Sequence, residues 1–330
     1  MAIFWILIFI LSLALLVKSA DWFIESSEKI GLAFKISPFI VGVTIVAFGT
    51  SFPEIVSSLV AVLKGATEIV AANAIGSNIA NILLIVGLSA VVARALIVKR
   101  SLIDLDAPLL AAATILFFFI AMDKKIVFGE GVLLILAFLI YLFYTLFQKK
   151  GKKEEMSEIV EILPSRVERR ETEIIKGEKP PKLTFKVFFF LVLGITGLVI
   201  GANYTIESVL KLSEILKIST SLIAITAIAI GTSLPELVVS VRAAAKKKYE
   251  MALGNVFGSN VFNILLVTGI PALIRPLTVD DLTFLVGLPF LLVATLLFVI
   301  SGISRKIHIW EGAIYLLIYA LFIVKLCGLF

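Results

Sequence analysis

The chain has 330 residues, of which 60% are apolar, and its mean hydropathy is +1.10. This composition excludes an ordinary soluble domain and indicates a membrane protein with several spans. The basic residues behind the formal charge of +6 lie mainly in loops between apolar runs, where they set topology rather than bind nucleic acid. One cysteine, Cys327, and one histidine, His308, exclude a disulfide framework and most transition-metal sites.

Apolar runs long enough to cross a bilayer, about 20 residues each, recur along the chain. They predict an all-α integral membrane protein with ten transmembrane helices. The predicted spans are 2–27, 37–63, 68–93, 105–122, 127–147, 186–209, 220–245, 250–274, 282–302 and 308–329. Residues 149–184 interrupt this series because they are rich in Lys, Arg and Glu and contain prolines, so we interpret them as a solvated linker.

The two halves of the chain repeat each other. The stretch Gly49-Thr50-Ser51-Phe52-Pro53-Glu54 returns 182 residues later as Gly231-Thr232-Ser233-Leu234-Pro235-Glu236. A second pattern, Asn73-x-x-Gly76-Ser77-Asn78-x-x-Asn81, returns as Asn255-x-x-Gly258-Ser259-Asn260-x-x-Asn263. We therefore expect a first five-helix repeat at 1–148, the linker at 149–184, and a second repeat at 185–330. An odd number of spans in each repeat inverts the second one, an arrangement typical of secondary transporters.

The basic loops predict the orientation in the membrane. Residues 149–184 form the most basic connection, so we expect the linker to be cytoplasmic. Five spans on either side of it then place both the N-terminus and the C-terminus outside the cell. The expected location is the cell membrane.

Each repeated stretch places a carboxylate and a helix breaker inside an apolar run. A charged side chain at that depth costs roughly 2.5–3.5 kcal/mol on insertion scales, which favours a functional role for Glu54 and Glu236. Proline lacks an amide hydrogen and crowds the preceding turn, and the glycine four residues earlier allows the backbone to leave the helix. We expect the break to free backbone carbonyls near Ala47 and Ala229 as oxygen ligands.

The second pattern supplies further oxygen atoms. Asn73, Ser77 and Asn81 recur every four residues, so they share one helix face, and the same holds for their counterparts 182 residues on. With the inverted repeat, four polar stripes are expected to meet in one cluster that holds two carboxylates but neither thiolate nor imidazole. Oxygen sites of this kind suit hard cations, above all Ca²⁺ and Na⁺. Because one Ca²⁺ or two Na⁺ balances two carboxylates, the two ions can compete.

The paired motifs resemble the two alpha repeats of the Na⁺/Ca²⁺ exchangers in the calcium/cation antiporter superfamily. The resemblance covers nearly the whole chain except 149–184. It implies ten helices, ions bound between the second, third, seventh and eighth, and two outer helices that slide against a core bundle. It also implies Glu54 and Glu236 as the main Ca²⁺ ligands. The remaining implied ligands are hydroxyls, amides and carbonyls: Thr50, Ser51, Ser77, Asn81, Thr232, Ser233, Ser259, Asn263, Ala47 and Ala229.

Position 263 departs from some archaeal and K⁺-dependent relatives, which carry Asp where this chain has Asn263. Asparagine adds no charge, so the three Na⁺ that the family exchanges for one Ca²⁺ would leave a charge of about +1 beside two glutamates. This predicts electrogenic exchange without K⁺.

The alternatives are weaker. An H⁺/Ca²⁺ exchanger tends to carry Gly-Asn-Ala-x-Glu in place of Gly-Thr-Ser-x-Pro-Glu. A K⁺-dependent Na⁺/Ca²⁺ exchanger is a further alternative, and a cation channel lacks support because the symmetry lies within one chain. An enzyme is not expected, since neither Ser51 nor Ser233 has a basic neighbour. We expect the lipid bilayer as surroundings, Na⁺ and Ca²⁺ as substrates, no other cofactor, no nucleic acid and no obligate protein partner.

Overall fold

A computed structural model describes residues 2–34, 50–98, 106–160, 183–247 and 249–328 of the chain, and most of them are helical. The helices are α1 (Ala2–Ala33), α2 (Phe52–Leu63), α3 (Glu68–Ala93), α4 (Ala107–Ile120), α5 (Phe128–Val160), α6 (Phe185–Leu216), α7 (Thr220–Thr232), α8 (Leu234–Ala245), α9 (Tyr249–Phe262, continued to Ala272), α10 (Thr283–Ile303) and α11 (Ile309–Leu326).

The mostly helical, membrane-type fold is confirmed. Within the described residues, seven helices are long and apolar enough to cross a bilayer, or up to eight if the bent pair α7 and α8 forms one span. The apolar helices α2 and α4 are shorter than this, and the residues near their starts, 35–49 and 99–105, lie outside the described part of the chain. The count of ten spans therefore stays a prediction. Helix α5 continues to Val160, beyond the predicted end of its span at 147.

Four short strands depart from the prediction of an entirely helical chain. Strand β1 (Ala95–Ile97) pairs antiparallel with β4 (Lys306–His308), and β2 (Lys125–Ile126) pairs antiparallel with β3 (Leu277–Thr278). Each pair joins one strand from the first half of the chain to one from the second. Hydrophobic periodicity missed these strands because two or three residues are too few to show alternation.

Helices α3 and α9 form the centre of the bundle, and most of their residues are buried. Helix α3 contains a π-helical segment at Ala80–Val86, and α9 contains the corresponding one at Asn263–Val267. Large apolar side chains instead cover the outside of α1, α5, α6, α10 and α11, where a bilayer would contact them. The outer surface of these helices is thus largely apolar, whereas the interior contains polar residues within an apolar core.

Helices α1 and α6 pack side by side along most of their length. Glycines of α6 permit this approach: a Cβ atom on Gly201 would lie 3.0 Å from the Leu16 nitrogen, and one on Gly194 would lie 2.8 Å from the Phe23 nitrogen. The hydroxyl of Thr205 also donates to Ser12 Oγ at 2.9 Å. Because residue numbers fall along α1 as they rise along α6, the two helices are antiparallel. Small residues at close helix contacts are typical of membrane bundles.

Candidate cation-binding site

The predicted helix breaks are present at both repeated stretches. Helix α2 begins at Phe52 directly after Ser51, whose φ and ψ are −91° and 11°. The corresponding Ser233 has φ and ψ of −82° and 7°, and it separates α7 from α8 at a bend of 47°. Each proline lies in the first turn of the new helix, where its missing amide hydrogen leaves no bond unmade. The breaks place each glutamate in the first turn of a helix, where the positive end of the helix dipole stabilises a carboxylate.

The structure corrects the expected role of Gly231. This residue stays within helical backbone, and the chain breaks two residues later, at Ser233. A Cβ atom on Gly231 would lie 2.6 Å from Leu13 Cδ1, so the glycine leaves room for the Leu13 side chain of α1. Gly49, the counterpart in the first half, lies outside the described residues.

Each of the two carboxylates accepts a hydrogen bond from a serine of the opposite half. Ser51 Oγ donates to Glu236 Oε1 at 3.0 Å, and Ser233 Oγ donates to Glu54 Oε1 at 3.3 Å. Ser259 Oγ also donates to Glu236 Oε1, at 3.3 Å. Both glutamates are fully buried. The structure therefore brings Glu54, Glu236, Ser51, Ser233 and Ser259 into one cluster, built from both repeats.

The threonines of the two halves make different contacts. Thr50 Oγ1 donates to Asn255 Oδ1 at 3.4 Å and lies 3.5 Å from Ser259 Oγ, so it bonds across to the second half. Thr232 Oγ1 instead donates to the Ile228 carbonyl at 3.0 Å, within its own helix. Both side chains are buried beside the carboxylates. The two half-sites are thus related by sequence but differ in their hydrogen bonds.

One of the two expected carbonyl ligands can be located. The Ala229 carbonyl accepts a hydrogen bond from the Ser233 amide at 3.2 Å, with Thr232 Oγ1 at 3.5 Å. It is therefore bonded to the protein in this arrangement, and coordination of a cation would have to replace or share that bond. Ala47 lies outside the described residues.

Helices α3 and α9 contribute the remaining predicted side chains. Asn81 Nδ2 donates to Asn260 Oδ1 at 3.1 Å, while Asn78 Nδ2 donates to the Asn260 carbonyl at 3.0 Å. These contacts hold the two central helices together, and Asn81 Oδ1 has no hydrogen-bond partner within the described residues. Ser77 and Asn263 are fully buried on the same helices.

Several buried oxygen atoms of the two carboxylates and of helices α3 and α9 have no hydrogen-bond partner within the described part of the chain. They are Glu54 Oε2, Glu236 Oε2, Ser77 Oγ, Asn81 Oδ1 and Asn263 Oδ1. Buried polar atoms are nearly always paired, and an isolated buried carboxylate is especially unfavourable. Oxygen atoms with unused lone pairs, two of them on carboxylates, are the donor set of a hard cation. The residues present therefore fit Ca²⁺ or Na⁺ without any sulfur or nitrogen ligand.

Sequence reasoning missed two features of the site. The π-helical segments begin at or beside the predicted ligands Asn81 and Asn263, and a third at Ala224–Ile228 directly precedes Ala229. Such segments occur frequently at functional sites, yet their residues carry no distinctive composition. The other is the pair of contacts made by Asn255, a residue of the predicted polar face that was not assigned as a ligand: it accepts from Thr50 and donates to Ser240 Oγ at 3.0 Å. Its place in the repeated motif, 182 residues after Asn73, was the sequence feature that could have indicated these contacts.

Helices α3 and α7 approach each other closely at Gly76. A Cβ atom on Gly76 would lie 2.8 Å from Ala229 Cβ and would also meet the Ile225 carbonyl oxygen. Helix α7 can therefore lie directly against α3, which keeps the polar faces of both helices in one cluster.

Comparisons with known proteins show the family to which this chain is related. The family model described as "Sodium/calcium exchanger protein" matches residues 4–147 and 186–328. The sodium/calcium exchanger MaX1 of Methanosarcina acetivorans is 33% identical over 97% of this chain and 97% of its own length. The inner membrane protein YrbG of Escherichia coli is 31% identical over 88% of this chain and 86% of its own length.

A solved structure shows the same fold. The sodium-calcium exchanger NCX_Mj, soaked with 2.5 mM Na⁺ and 0.1 mM Ca²⁺, superposes with a TM-score of 0.65 at 31% sequence identity, over 98% of this chain and 99% of that one. The matched residues leave out 148–185, which nearly coincides with the predicted linker. The family is one of transporters that exchange ions across membranes. On these grounds the chain belongs to the sodium/calcium exchanger protein family.

Proposed function

We propose that the protein is a secondary antiporter that exchanges Na⁺ for Ca²⁺ by alternating access. The observation that supports this most directly is the pair of buried carboxylates, Glu54 and Glu236, each bonded to a serine of the opposite half. A site shared between inverted halves can open to either side when one half moves against the other. Bound cations would bias that movement through their different affinities for the two states.

The proposed ligands are the oxygen atoms of the cluster. Glu54 and Glu236 bind Ca²⁺ and, in the other part of the cycle, Na⁺. Hydroxyls, amides and one or two carbonyls complete the Na⁺ sites, with these residues in that role: Thr50, Ser51, Ser77, Asn81, Thr232, Ser233, Ser259, Asn263, Ala47 and Ala229. Unused oxygens on Ser77, Asn81 and Asn263 support this set. No cofactor beyond the transported ions is needed for this chemistry.

Charge balance is the basis of competition. Two ionised glutamates neutralise one Ca²⁺, so the Ca²⁺-loaded site is close to neutral. Three Na⁺ at the same site would carry a net charge of about +1 across the membrane. Exchange at that stoichiometry is electrogenic, and its rate should depend on membrane potential. Asn263 contributes an oxygen but no charge, which argues against an added K⁺.

The proposed setting is the cell membrane, crossed ten times. Both chain termini would lie outside, and 149–184 would join the two halves on the cytoplasmic side. Eight spans, with the bent pair α7 and α8 counted as one, together with the two shorter apolar helices α2 and α4 make ten, which supports this count.

Uptake of Ca²⁺ into proteoliposomes tests this proposal. With Na⁺ inside and Na⁺-free buffer outside, we expect Ca²⁺ accumulation that is abolished when choline replaces the internal Na⁺. A separate arm replaces the Na⁺ gradient with a pH gradient. Uptake driven by the pH gradient alone would favour an H⁺/Ca²⁺ exchanger instead. A valinomycin clamp at different K⁺ gradients then measures whether the rate follows membrane potential.

A further inference from the structure

We propose that two equivalent ion-pair clusters on α1 and α6 form in alternation, each holding the α1/α6 pair against the rest of the bundle in one state of the transport cycle. The first, the Lys64 latch, consists of Lys64, Asn203 and Glu207. The second, the Lys246 latch, consists of Lys246, Asp21 and Glu25. This inference rests on the proposed alternating-access function.

The Lys64 latch is formed in the structure. Lys64 ends α2, and its Nζ lies 3.5 Å from Glu207 Oε2 and donates to the Asn203 carbonyl at 3.1 Å. Both acceptors belong to α6. Only 26% of the Lys64 side chain is exposed, so the ammonium group is held against α6 rather than extended into solvent. The latch therefore connects a broken helix that carries a site carboxylate to one of the two outer helices.

The same residues recur 182 positions away. Lys64 corresponds to Lys246 at the end of α8, and Glu207 corresponds to Glu25 on α1. Asn203 corresponds to Asp21, also on α1. A cation at the end of the site helix and an anion on the outer helix are therefore present in both halves, in the same register.

The Lys246 latch is not formed. Within the described part of the chain, Lys246 is exposed and makes no ion pair, and Glu25 lies 3.9 Å from Lys29 of its own helix. Asp21 instead accepts from Lys18 at 3.4 Å. The helices that would carry this latch also pack less: within the described residues α6 packs along α2, whereas α1 and α8 make few or no contacts with each other.

The hydrogen bonds around the carboxylates also differ between equivalent residues of the two halves. Asn255 is bonded to both Ser240 and Thr50. Its counterpart Asn73 and the counterpart of Ser240, Ser58, are buried and have no hydrogen-bond partner within the described residues. Asn255 and Ser240 are thus hydrogen-bonded to each other, whereas the equivalent residues Asn73 and Ser58 are not bonded within the described residues.

Inverted repeats exchange their arrangements when the protein changes from one access state to the other. If the α1/α6 pair shifts from α2 towards α8, Glu207 leaves Lys64 as Glu25 approaches Lys246. A contact made in one state only biases the equilibrium towards that state by its own free energy. Two equivalent contacts at opposite faces bias it in opposite directions, so neither state is trapped.

The test measures how readily positions 25 and 246 are crosslinked when the Lys64 latch is broken. In a Cys327→Ser background, Glu25→Cys and Lys246→Cys serve as reporters, and a short bifunctional thiol reagent joins them in proteoliposomes. Because the reporters carry no charge, the crosslinking rate reads proximity alone. We expect crosslinking, and we expect Lys64→Glu to raise its rate by roughly 1.5- to 5-fold, as for a partly exposed ion pair. Lys64→Gln offers a milder substitution should Lys64→Glu reduce the yield of folded protein.

Three controls separate the latch from general charge effects. Lys64→Arg keeps the ion pair and should leave the rate unchanged, and Lys64→Glu combined with Glu207→Lys should restore it. Lys211→Glu breaks an exposed ion pair within α6, with Glu214 at 3.0 Å, and should have no effect. Reporters that never crosslink, an unchanged rate in Lys64→Glu, or an equal rise in Lys211→Glu would overturn the proposal.

The readout is independent of which ion drives transport. If these crosslinks fail in a protein that shows Na⁺-driven Ca²⁺ uptake, the latch proposal is wrong and the proposed function stands. Intact crosslinks in a protein driven only by a pH gradient would keep the latch and replace the proposed function.

Discussion

Ser51 and Glu236 come from opposite halves of the chain, and the Ser51 hydroxyl donates to Glu236 Oε1 at 3.0 Å. The reciprocal bond, from Ser233 to Glu54, is 3.3 Å long. Each half therefore supplies a carboxylate and also the hydroxyl that orients the carboxylate of the other half. Neither half contains a complete site. A substitution at any of these four residues should therefore affect the transport of both Na⁺ and Ca²⁺.

Neutralising either carboxylate should abolish Ca²⁺ transport. Glu54→Gln or Glu236→Gln removes half of the negative charge that faces the ion, and we expect Ca²⁺ affinity to fall by at least about tenfold, or 1.4 kcal/mol. The fold should survive, because a buried carboxylate without a cation is itself unfavourable. Uptake of ⁴⁵Ca²⁺ measures the effect, and Glu214→Gln, on the exposed surface of α6, provides the control. Normal flux in either site variant would remove that glutamate from the proposed ligands.

The serine hydroxyl at position 51 should matter more than a neighbouring buried serine. Ser51→Ala removes a donor to a charged acceptor, a change worth about 1.5–3 kcal/mol, and should raise the Na⁺ concentration for half-maximal exchange by about tenfold or more. Ser57 is equally buried but donates to the Pro53 carbonyl of its own helix. Ser57→Ala should therefore leave the Na⁺ dependence unchanged, and equal effects of the two substitutions would contradict the proposed role of Ser51.

Charge at position 263 should decide which half of the cycle responds to voltage. In the proposed scheme the Ca²⁺-loaded site is neutral, so Ca²⁺–Ca²⁺ exchange by the natural protein should be insensitive to membrane potential. Asn263→Asp would add a negative charge and make that step voltage-dependent, while the Na⁺ step would lose its dependence. Exchange of ⁴⁵Ca²⁺ at clamped potentials tests this, with Asn263→Ser as a neutral control. A voltage-dependent Ca²⁺–Ca²⁺ exchange in the natural protein would contradict the assigned charges.

The glycine at the contact between α3 and α7 should not accept a side chain. Gly76→Ala would place a methyl group 2.8 Å from Ala229 Cβ, and such overpacking typically costs about 1–3 kcal/mol. We expect a lower thermal unfolding temperature in detergent, measured by the loss of the monodisperse peak after heating. Gly302→Ala on α10 is the matched control, because a Cβ atom there meets nothing within 4 Å. Equal stability of the two variants would mean that α3 and α7 can separate without cost.

Deleting most of the predicted linker should leave exchange intact. Removal of 152–178 shortens the connection between the two halves but touches none of the proposed ligands. We expect the Na⁺-driven Ca²⁺ uptake of this variant to stay within about twofold of the full chain, since long surface connections cost little to shorten. Loss of uptake in a correctly folded deletion variant would show that these residues take part in transport.

The sequence was informative where the physical cause is local. Proline breaks a helix through its own ring and missing hydrogen, so the breaks beside Glu54 and Glu236 could be predicted from Pro53 and Pro235. The repeat then predicted that both carboxylates share a cluster, because inverted halves bring equivalent residues to one axis. The predicted roles of individual ligands remain predictions.

Features that depend on packing could not be read in the same way. Gly231 is helical and makes room for Leu13, a contact between residues far apart in the chain. The π-helical segments and the four short strands likewise depend on neighbours that no single stretch of sequence specifies. The fifth span predicted at 127–147 agrees with the apolar part of α5, Phe128–Thr145, but the unbroken continuation of this helix to Val160 was not predicted.

The strand pairs have a consequence for how the protein is made. Strands β1 and β2 are synthesised first, yet each pairs with a strand that follows the linker, β4 or β3. When the first half has left the ribosome, its strand edges and the Glu54 carboxylate still lack their partners. A nascent chain at that stage would need shielding by the insertion machinery, and an N-terminal half expressed alone should be degraded unless the other half is co-expressed.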